Sequence, residues 1–378
     1  MKKEKNISMI IGISILVVVI VVIVLIKNKP ISKNNAKEIY GAIGGGKENL
    51  LADEEINDIF AKKYGIKLVQ DIWSNGKTVK VDVRRENGDK YDLIFFSDQR
   101  YYDEYKTPAD PSKDEAPRYT VVDGQLTLNT PIVIYSWDTV VDVLIKENIV
   151  TLKNNVYYIT DMEKLINYIL EGKQWKDLGL KNIYGQVNIG SVDPVTSSPG
   201  ATYYGLLLSI MAGGDINDES IKSALPKLQT FYKKSGYMNN TPADLFNKFL
   251  MTGVGTLPMI VDYEKSVIDF ANSNEEGWSS VKDKIRILYP TPTIWNSHCI
   301  AALSEDGTKL IEAFKDKDVS QIAWSNHGFR VGITGGNYDV SKVGVTGIPS
   351  SIDSVTAGLK MEYYDRVINC LSGKESCE

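Results

Sequence analysis

The longest uniform pattern in the chain comes first: from Met9 to Ile26 every position is apolar except Gly12 and Ser14, with Lys2, Lys3 and Lys5 ahead and Lys27-Asn28-Lys29-Pro30 behind. A run of that length spans a bilayer as a helix. A cleaved leader would show a shorter apolar region and a small-residue cleavage site, and lipid attachment would need a nearby cysteine; the sequence shows none of these. Residues 1–29 are therefore expected to be a signal anchor, with residues 30–37 a polar tether. Lysines flank both sides of the run, so the positive-inside rule does not fix its direction. The expectation is a single pass through the cell membrane with the body extracytoplasmic.

Beyond the tether the pattern alternates between short apolar runs and helical periodicity. Ile39–Ile43 predicts a strand that breaks into Gly44-Gly45-Gly46, followed by a helix over 48–64 with apolar positions at Leu50, Leu51, Ile56, Ile59 and Phe60. Gly65 is placed to end it. Strands are predicted at 66–69, at 78–83 from strict alternation, at 91–96 and at 131–135, with a surface loop over 102–117. Ser136 is placed to cap a helix over 137–147, and a strand at 187–190 leads through a polar loop into an apolar helix at 203–211. Further helices are predicted near 161–170, 218–234, 242–251, 309–314, 319–327 and 361–371, and strands at 257–261, 285–289 and 299–303. Strands alternating with helices argue for an α/β fold with a mostly parallel sheet.

One unit recurs: strand, polar loop, helix N-terminus. The first N–H groups of a helix lack internal partners and carry partial positive charge, so such loops suit polar or anionic ligands. Gly41–Lys47 fits the first seven positions of the nucleotide-binding pattern G-x-x-x-x-G-K-[ST], but Glu48 follows, which supplies no hydroxyl for Mg²⁺ and repels a polyphosphate. The second unit ends at Ser197-Ser198-Pro199-Gly200 and the third at Tyr263-Glu264, while Ser97-Asp98, directly after the strand at 91–96, reads as either a turn or a site wall.

Composition removes several classes. A formal charge of −5 and a pI near 5.4 offer no basic excess for nucleic acid. With only His298 and His327, multi-histidine metal sites are excluded, and no carboxylate or Cys/His cluster marks a metal or cofactor site. His298 and Cys299, adjacent on a strand, point to opposite faces, and His327 sits at a helix end, so no catalytic cluster is expected and the chain is read as a non-enzyme. Tyr203 and Tyr204 stand about 100° apart on a helix, which favours core packing over paired ferric ligation. Cys370 and Cys377 are spaced for either a small disulfide loop or two free thiols.

In order, Gly44-Gly45-Gly46-Lys47-Glu48, Tyr91–Ser97, Asp193-Pro194 with Ser197-Ser198-Pro199-Gly200, Met259–Glu264, Tyr289–Thr293 and Gln321 leading to Gly328-Phe329-Arg330 resemble the type 2 periplasmic-binding-protein fold of extracellular solute-binding proteins. The resemblance implies a two-lobed α/β body with mixed sheets, lobe 1 comprising 38–135 plus 297–378 and lobe 2 comprising 136–296. It further implies a small-molecule or anion ligand in an interlobe cleft lined by Gly45, Gly46, Lys47, Glu48, Ser97, Asp98, Ser197, Ser198, Gly200, Tyr263 and Glu264. A membrane permease and ATPase, or another membrane complex, would be the partner. Two features depart from the usual pattern: glycines alone fill the first loop, where many relatives have a serine, and Lys265 follows the Tyr-Glu pair, where an amide is common. A ligand-free scaffold or sensory subunit built on the same fold is the alternative.

Overall fold

The structure, a computed structural model, describes residues 35–377 apart from 110–111, 113–114, 237, 240 and 333–335. The apolar run at 9–26 lies outside the described residues; among those described, no helix is long and apolar enough to cross a membrane.

The strands are β1 (Lys37–Ile43), β2 (Ile66–Ile72), β3 (Leu93–Phe96), β4 (Asp123–Trp137), β5 (Val150–Lys153), β6 (Val156–Ile159), β7 (Met259–Tyr263), β8 (Ile285–Pro290), β9 (Thr293–Ala302), β10 (Arg330–Val331) and β11 (Val355–Thr356). β4 organises them. Its first half pairs antiparallel with β9 and β10, which continues the order β2-β1-β3-β9 into one sheet. Its second half, from Ile132 on, pairs with β7 on one side and β8 on the other, and β8 continues to β6 and β5. A single strand of 15 residues therefore runs from one sheet into the other. Both sheets are mixed; among the described residues, the parallel arrangement expected from the alternation holds for β1 with β2 and β3, β6 with β8, and β11 with β9, while the other strand pairs are antiparallel.

Alternation along the first sheet's strands sorts its side chains into two layers. Ile39, Ile43, Leu93 and Phe95 pack on one face with Phe60, Leu310 and Phe314, while Ala42, Ile94 and Phe96 pack on the other with Tyr102, Tyr105 and Cys299. The second sheet carries the larger core, with Ile134, Tyr135, Leu144, Leu206, Phe231, Phe249 and Leu288.

Several expectations are corrected. The helix over 48–64 is two helices, Glu48–Ala52 and Glu54–Tyr64, because Asp53 is extended (φ −61°, ψ 122°) and caps the second through the N–H groups of Glu55 and Ile56. Residues 78–83 are not a strand: Val79 and Val83 anchor a turn and loop to the outer layer of the first sheet, so their alternation reflects two buried points. The expected surface loop over 102–117 begins inside a helix, Gln99–Lys106, capped by Asp98. Ser136 caps nothing and donates instead to the Pro258 carbonyl, and residues 187–190 contribute only a bridge from Gly190 to Ile260. The hairpin β5–β6 escaped the pattern reading although its turn residues, Asn154 and Asn155, both take positive φ (50° and 62°), as asparagine-rich hairpin turns do.

The C-terminal segment is the largest correction. β9 and the helices Glu305–Phe314 and Lys317–Ser325 join the first sheet as expected, but Val343, Val345, Ile348, Leu359, Tyr364, Val367 and Leu371 are buried in the second core. Once β10 has paired with β4, the chain crosses to the other sheet, where the helix Met361–Leu371 packs on Asp218–Ser235. Cys370 and Cys377 are joined as a disulfide, the first of the two readings left open.

Candidate ligand-binding cleft

β1, β3 and β7 all end at the same place. The loops that leave them, with the start of the helix Ser198–Met211 and the middle of β9, surround a cleft of about 650 Å³. The first sheet's side contributes Gly45–Leu50, Trp73, Ser97, His298 and Phe329; the second sheet's side contributes Thr196–Pro199, Phe246, Asp262, Tyr263, Lys265 and Asp269. Of the residues expected there, Gly45, Gly46, Lys47, Glu48, Ser97, Ser197, Ser198 and Tyr263 do line it.

The glycine loop is largely satisfied within itself. Gly46 takes φ 87°, the left-handed region open to glycine, and its N–H is held by both Glu48 oxygens at 2.8 and 3.0 Å. Lys47 is only 1% exposed: its ammonium turns back under the loop to the Gly44 carbonyl, with those of Gly45 and Phe95 at 3.4 Å and the Phe95 ring 4.6 Å away. Burial pushes the Lys47 amine down to about 7, against the pull of Glu48. Lys47 thus braces the loop.

Ser197 holds the N-cap position of the helix Ser198–Met211, yet its hydroxyl makes no capping bond, and Pro199 in the first turn has no N–H to satisfy. That helix end leaves the Ser197 hydroxyl without a capping role.

Three expected residues are not part of the cleft. Asp98 caps Gln99–Lys106 and is ion-paired with Arg100 beside a separate cavity of about 470 Å³. Gly200 is a packing position: a Cβ there would lie 2.4 Å from the Val192 carbonyl oxygen. Glu264, fully buried, is locked to Arg330 Nε and Nη2 at 2.7 and 2.9 Å and to the Tyr289 hydroxyl at 2.6 Å. The pattern Tyr-Glu located the right loop; the side chain one position beyond the cleft wall turned inward.

Asp262, Lys265 and Asp269 also line the cleft without being among the residues expected there, and His298 lines it as a wall residue. Asp262 is 2% exposed; its Oδ1 accepts from the Tyr263 N–H at 2.7 Å, and Oδ2 has no hydrogen-bond partner. Burial pushes its carboxyl up to about 6, opposed by the Tyr263 N–H and Ser266. His298, also 2% exposed, stacks edge-on against Phe329 and has no partner for Nδ1. Burial, with Lys47 and Lys265 nearby, holds its pKa well below the ordinary value, so the ring is neutral. Lys265 reaches Asp269 at 3.3 Å, and Asp269 in turn meets His327 Nδ1 at 3.2 Å, whose Nε2 lies 3.0 Å from Asp53. The i, i+4 spacing of Lys265 and Asp269 was the available signal for that pair; nothing local in the sequence marks His298.

By sequence, no family model and no curated protein matches the chain. By structure it is similar to a protein from Bordetella parapertussis described as an extracellular solute-binding protein, at 12% identity and TM-score 0.56, over 89% of this chain and 97% of that one. The sulfate-binding protein SubI from Mycobacterium tuberculosis aligns at 9% identity and TM-score 0.51, over 85% and 94%. An ABC transporter protein from Clostridium perfringens aligns at 16% identity and TM-score 0.52, over 88% and 96%. Likeness at that level of identity establishes fold and leaves the ligand to the residues. Two mixed sheets sharing a crossing strand, with a cleft at the strand ends, are the type 2 periplasmic-binding-protein fold of extracellular solute-binding proteins.

Proposed function

We propose that this chain is a membrane-anchored extracytoplasmic solute-binding protein that captures a small polar ligand between two lobes. The apolar run at 9–26 is its single-pass anchor, and a permease with its ATPase is its partner. One lobe is built on the first sheet, residues 38–131 with 297–331; the other on the second sheet, residues 132–296 with 338–377. Capture involves no covalent chemistry, and the protein is not an enzyme.

One observation carries this reading: the cleft at the strand ends contains buried polar atoms, on Asp262 and His298, for which the protein supplies no partner. Buried polar groups in folded proteins are nearly all paired, and a ligand is a natural partner for those that are not. Against it stands the glycine loop, where Glu48 already occupies the Gly46 N–H as an anion would, which favours the ligand-free scaffold. Full-length protein in detergent decides between them. Its melting temperature should rise with the concentration of one class among oxyanions, amines, amino acids and sugars, growing as the logarithm of concentration above the dissociation constant. A flat response to all four classes would leave the scaffold.

A further inference from the structure

The polar groups of the cleft narrow the ligand class, on the reading that the cleft binds a solute. Asp262 is a buried carboxylate with one oxygen unpartnered. Burying a charge without a counterion is costly, so its complement is a cation that also donates hydrogen bonds. Three buried or cleft-lining cations among the described residues are engaged elsewhere. Lys265, the one beside it, reaches Asp269; Lys47 is held by backbone carbonyls under the glycine loop; Arg330 is locked to Glu264. No arginine lines the cleft among the described residues, while Glu48, Asp262 and Asp269 do. An anion that only accepts hydrogen bonds would meet those three carboxylates and leave Asp262 Oδ2 as it is.

His298 adds a second requirement from the opposite wall. Its neutral ring keeps Nδ1 unpartnered, and a neutral imidazole nitrogen accepts a hydrogen bond in one tautomer and donates in the other. A ligand seated on Asp262 and extending toward His298 therefore spans the cleft from one sheet's side to the other. Trp73, Phe246 and Phe329 supply apolar and aromatic wall between them.

We propose that the cleft takes a solute bearing a primary ammonium group, with Asp262 Oδ2 as its ion-pairing acceptor and His298 as a second polar contact that tells the correct ligand from a bare amine. The ammonium would bring the missing counterion and up to three donors, which neither a sugar nor sulfate combines. Lys265, already turned to Asp269, does not fill that seat, and because Oδ2 is itself buried the ligand would reach it by displacing the side chains that cover it.

The test uses full-length protein in detergent, with ethanolamine, putrescine, L-alanine and L-arginine as ammonium probes, their trimethylated counterparts where these exist, and glucose and sulfate. At least one ammonium probe should bind in titration calorimetry, its trimethylated form should lose binding, and Asp262→Asn should weaken the same probe by about tenfold or more, as expected for loss of a charged hydrogen bond. The methylation series needs no variant, so it stands even if Asp262→Asn folds poorly. Binding of glucose or sulfate alone, or ammonium binding indifferent to methylation and to Asp262→Asn, overturns the ammonium assignment and leaves solute capture standing. Silence from every probe overturns both.

Discussion

Asp262 and Glu264 leave the end of one strand two positions apart, both buried, and meet opposite fates. Glu264 receives two bonds from Arg330 and one from Tyr289, and Arg330 uses its remaining N–H groups on the carbonyls of Pro349 and Ser350. That network ties the second sheet to β10 and to the returning C-terminal segment. Asp262 receives one backbone N–H on Oδ1, has the Ser266 hydroxyl near its carboxylate, and makes no hydrogen bond through Oδ2. Burial and charge are equal in the two; the supply of partners is what differs. A saturated acid holds the fold, and an unsaturated one in a cleft is available to a ligand.

The sharpest way to break that contrast is to remove Arg330. Arg330→Met leaves Glu264 buried without its counterion and should cost about 3–5 kcal/mol in urea unfolding, the range expected for breaking a buried pair from one side. Asp262→Asn should do the reverse. The folded-state carboxyl, at about 6, lies above its ordinary value of 3.8, so ionised Asp262 destabilises the free protein, by nothing below 3.8 and increasingly as pH rises through 6. The stability of Asp262→Asn relative to wild type should therefore improve between pH 4 and pH 8, by on the order of 1–3 kcal/mol. A pH-independent difference would show that Asp262 has a partner in solution.

The same contrast explains what the sequence could and could not disclose. The strand-loop-helix units at Gly44, Ser197 and Tyr263 were legible because strand ends and helix starts are marked locally, whereas the helix after Ser97 was not; all four loops nonetheless reach the cleft. The side chains that decide chemistry were not, because their fate depends on partners far along the chain. Glu264 looked available until Arg330 arrived from 66 positions away, and Lys47 looked like a free cation until the Phe95 carbonyl covered it from 48 positions away. β4 was half read, since its first part, Asp123 to Thr130, opens with polar residues that only later pair with β9. The C-terminal helix was found, but helical periodicity says nothing about which sheet it packs on.

His327 lies between the two extremes, satisfied only when charged. Each ring nitrogen faces a carboxylate, Asp53 on the first sheet's side and Asp269 on the second's, and only the imidazolium donates from both. Burial alone would lower its pKa, but Asp269 and Asp53 outweigh it and raise it above 6.5. Its contribution to stability is complete below 6.5 and lost as pH rises through the raised folded-state value. The two carboxyls are depressed in turn, with burial opposed by His327, so their share fades only as pH falls below 3.8. His327→Gln should cost about 1–2 kcal/mol near pH 5.5 and measurably less at pH 9. An equal cost at both would mean the ring packs between the carboxylates without bridging them.

The smallest expected effect falls on Ser197, and it separates a cap from a contact. Asp161 accepts from the Lys164 N–H at the start of its helix, so Asp161→Ala should cost about 1 kcal/mol in thermal unfolding. Ser197 stands at the same position of Ser198–Met211 without making that bond, and its residue lines the cleft. Ser197→Ala should therefore change stability by less than about 0.5 kcal/mol, the ordinary range of a surface substitution. The same variant should still weaken whichever probe the cleft binds, because the hydroxyl faces no competing use in the helix it begins. A full capping penalty with unchanged binding would place Ser197 with Asp161, among the residues that hold the fold together.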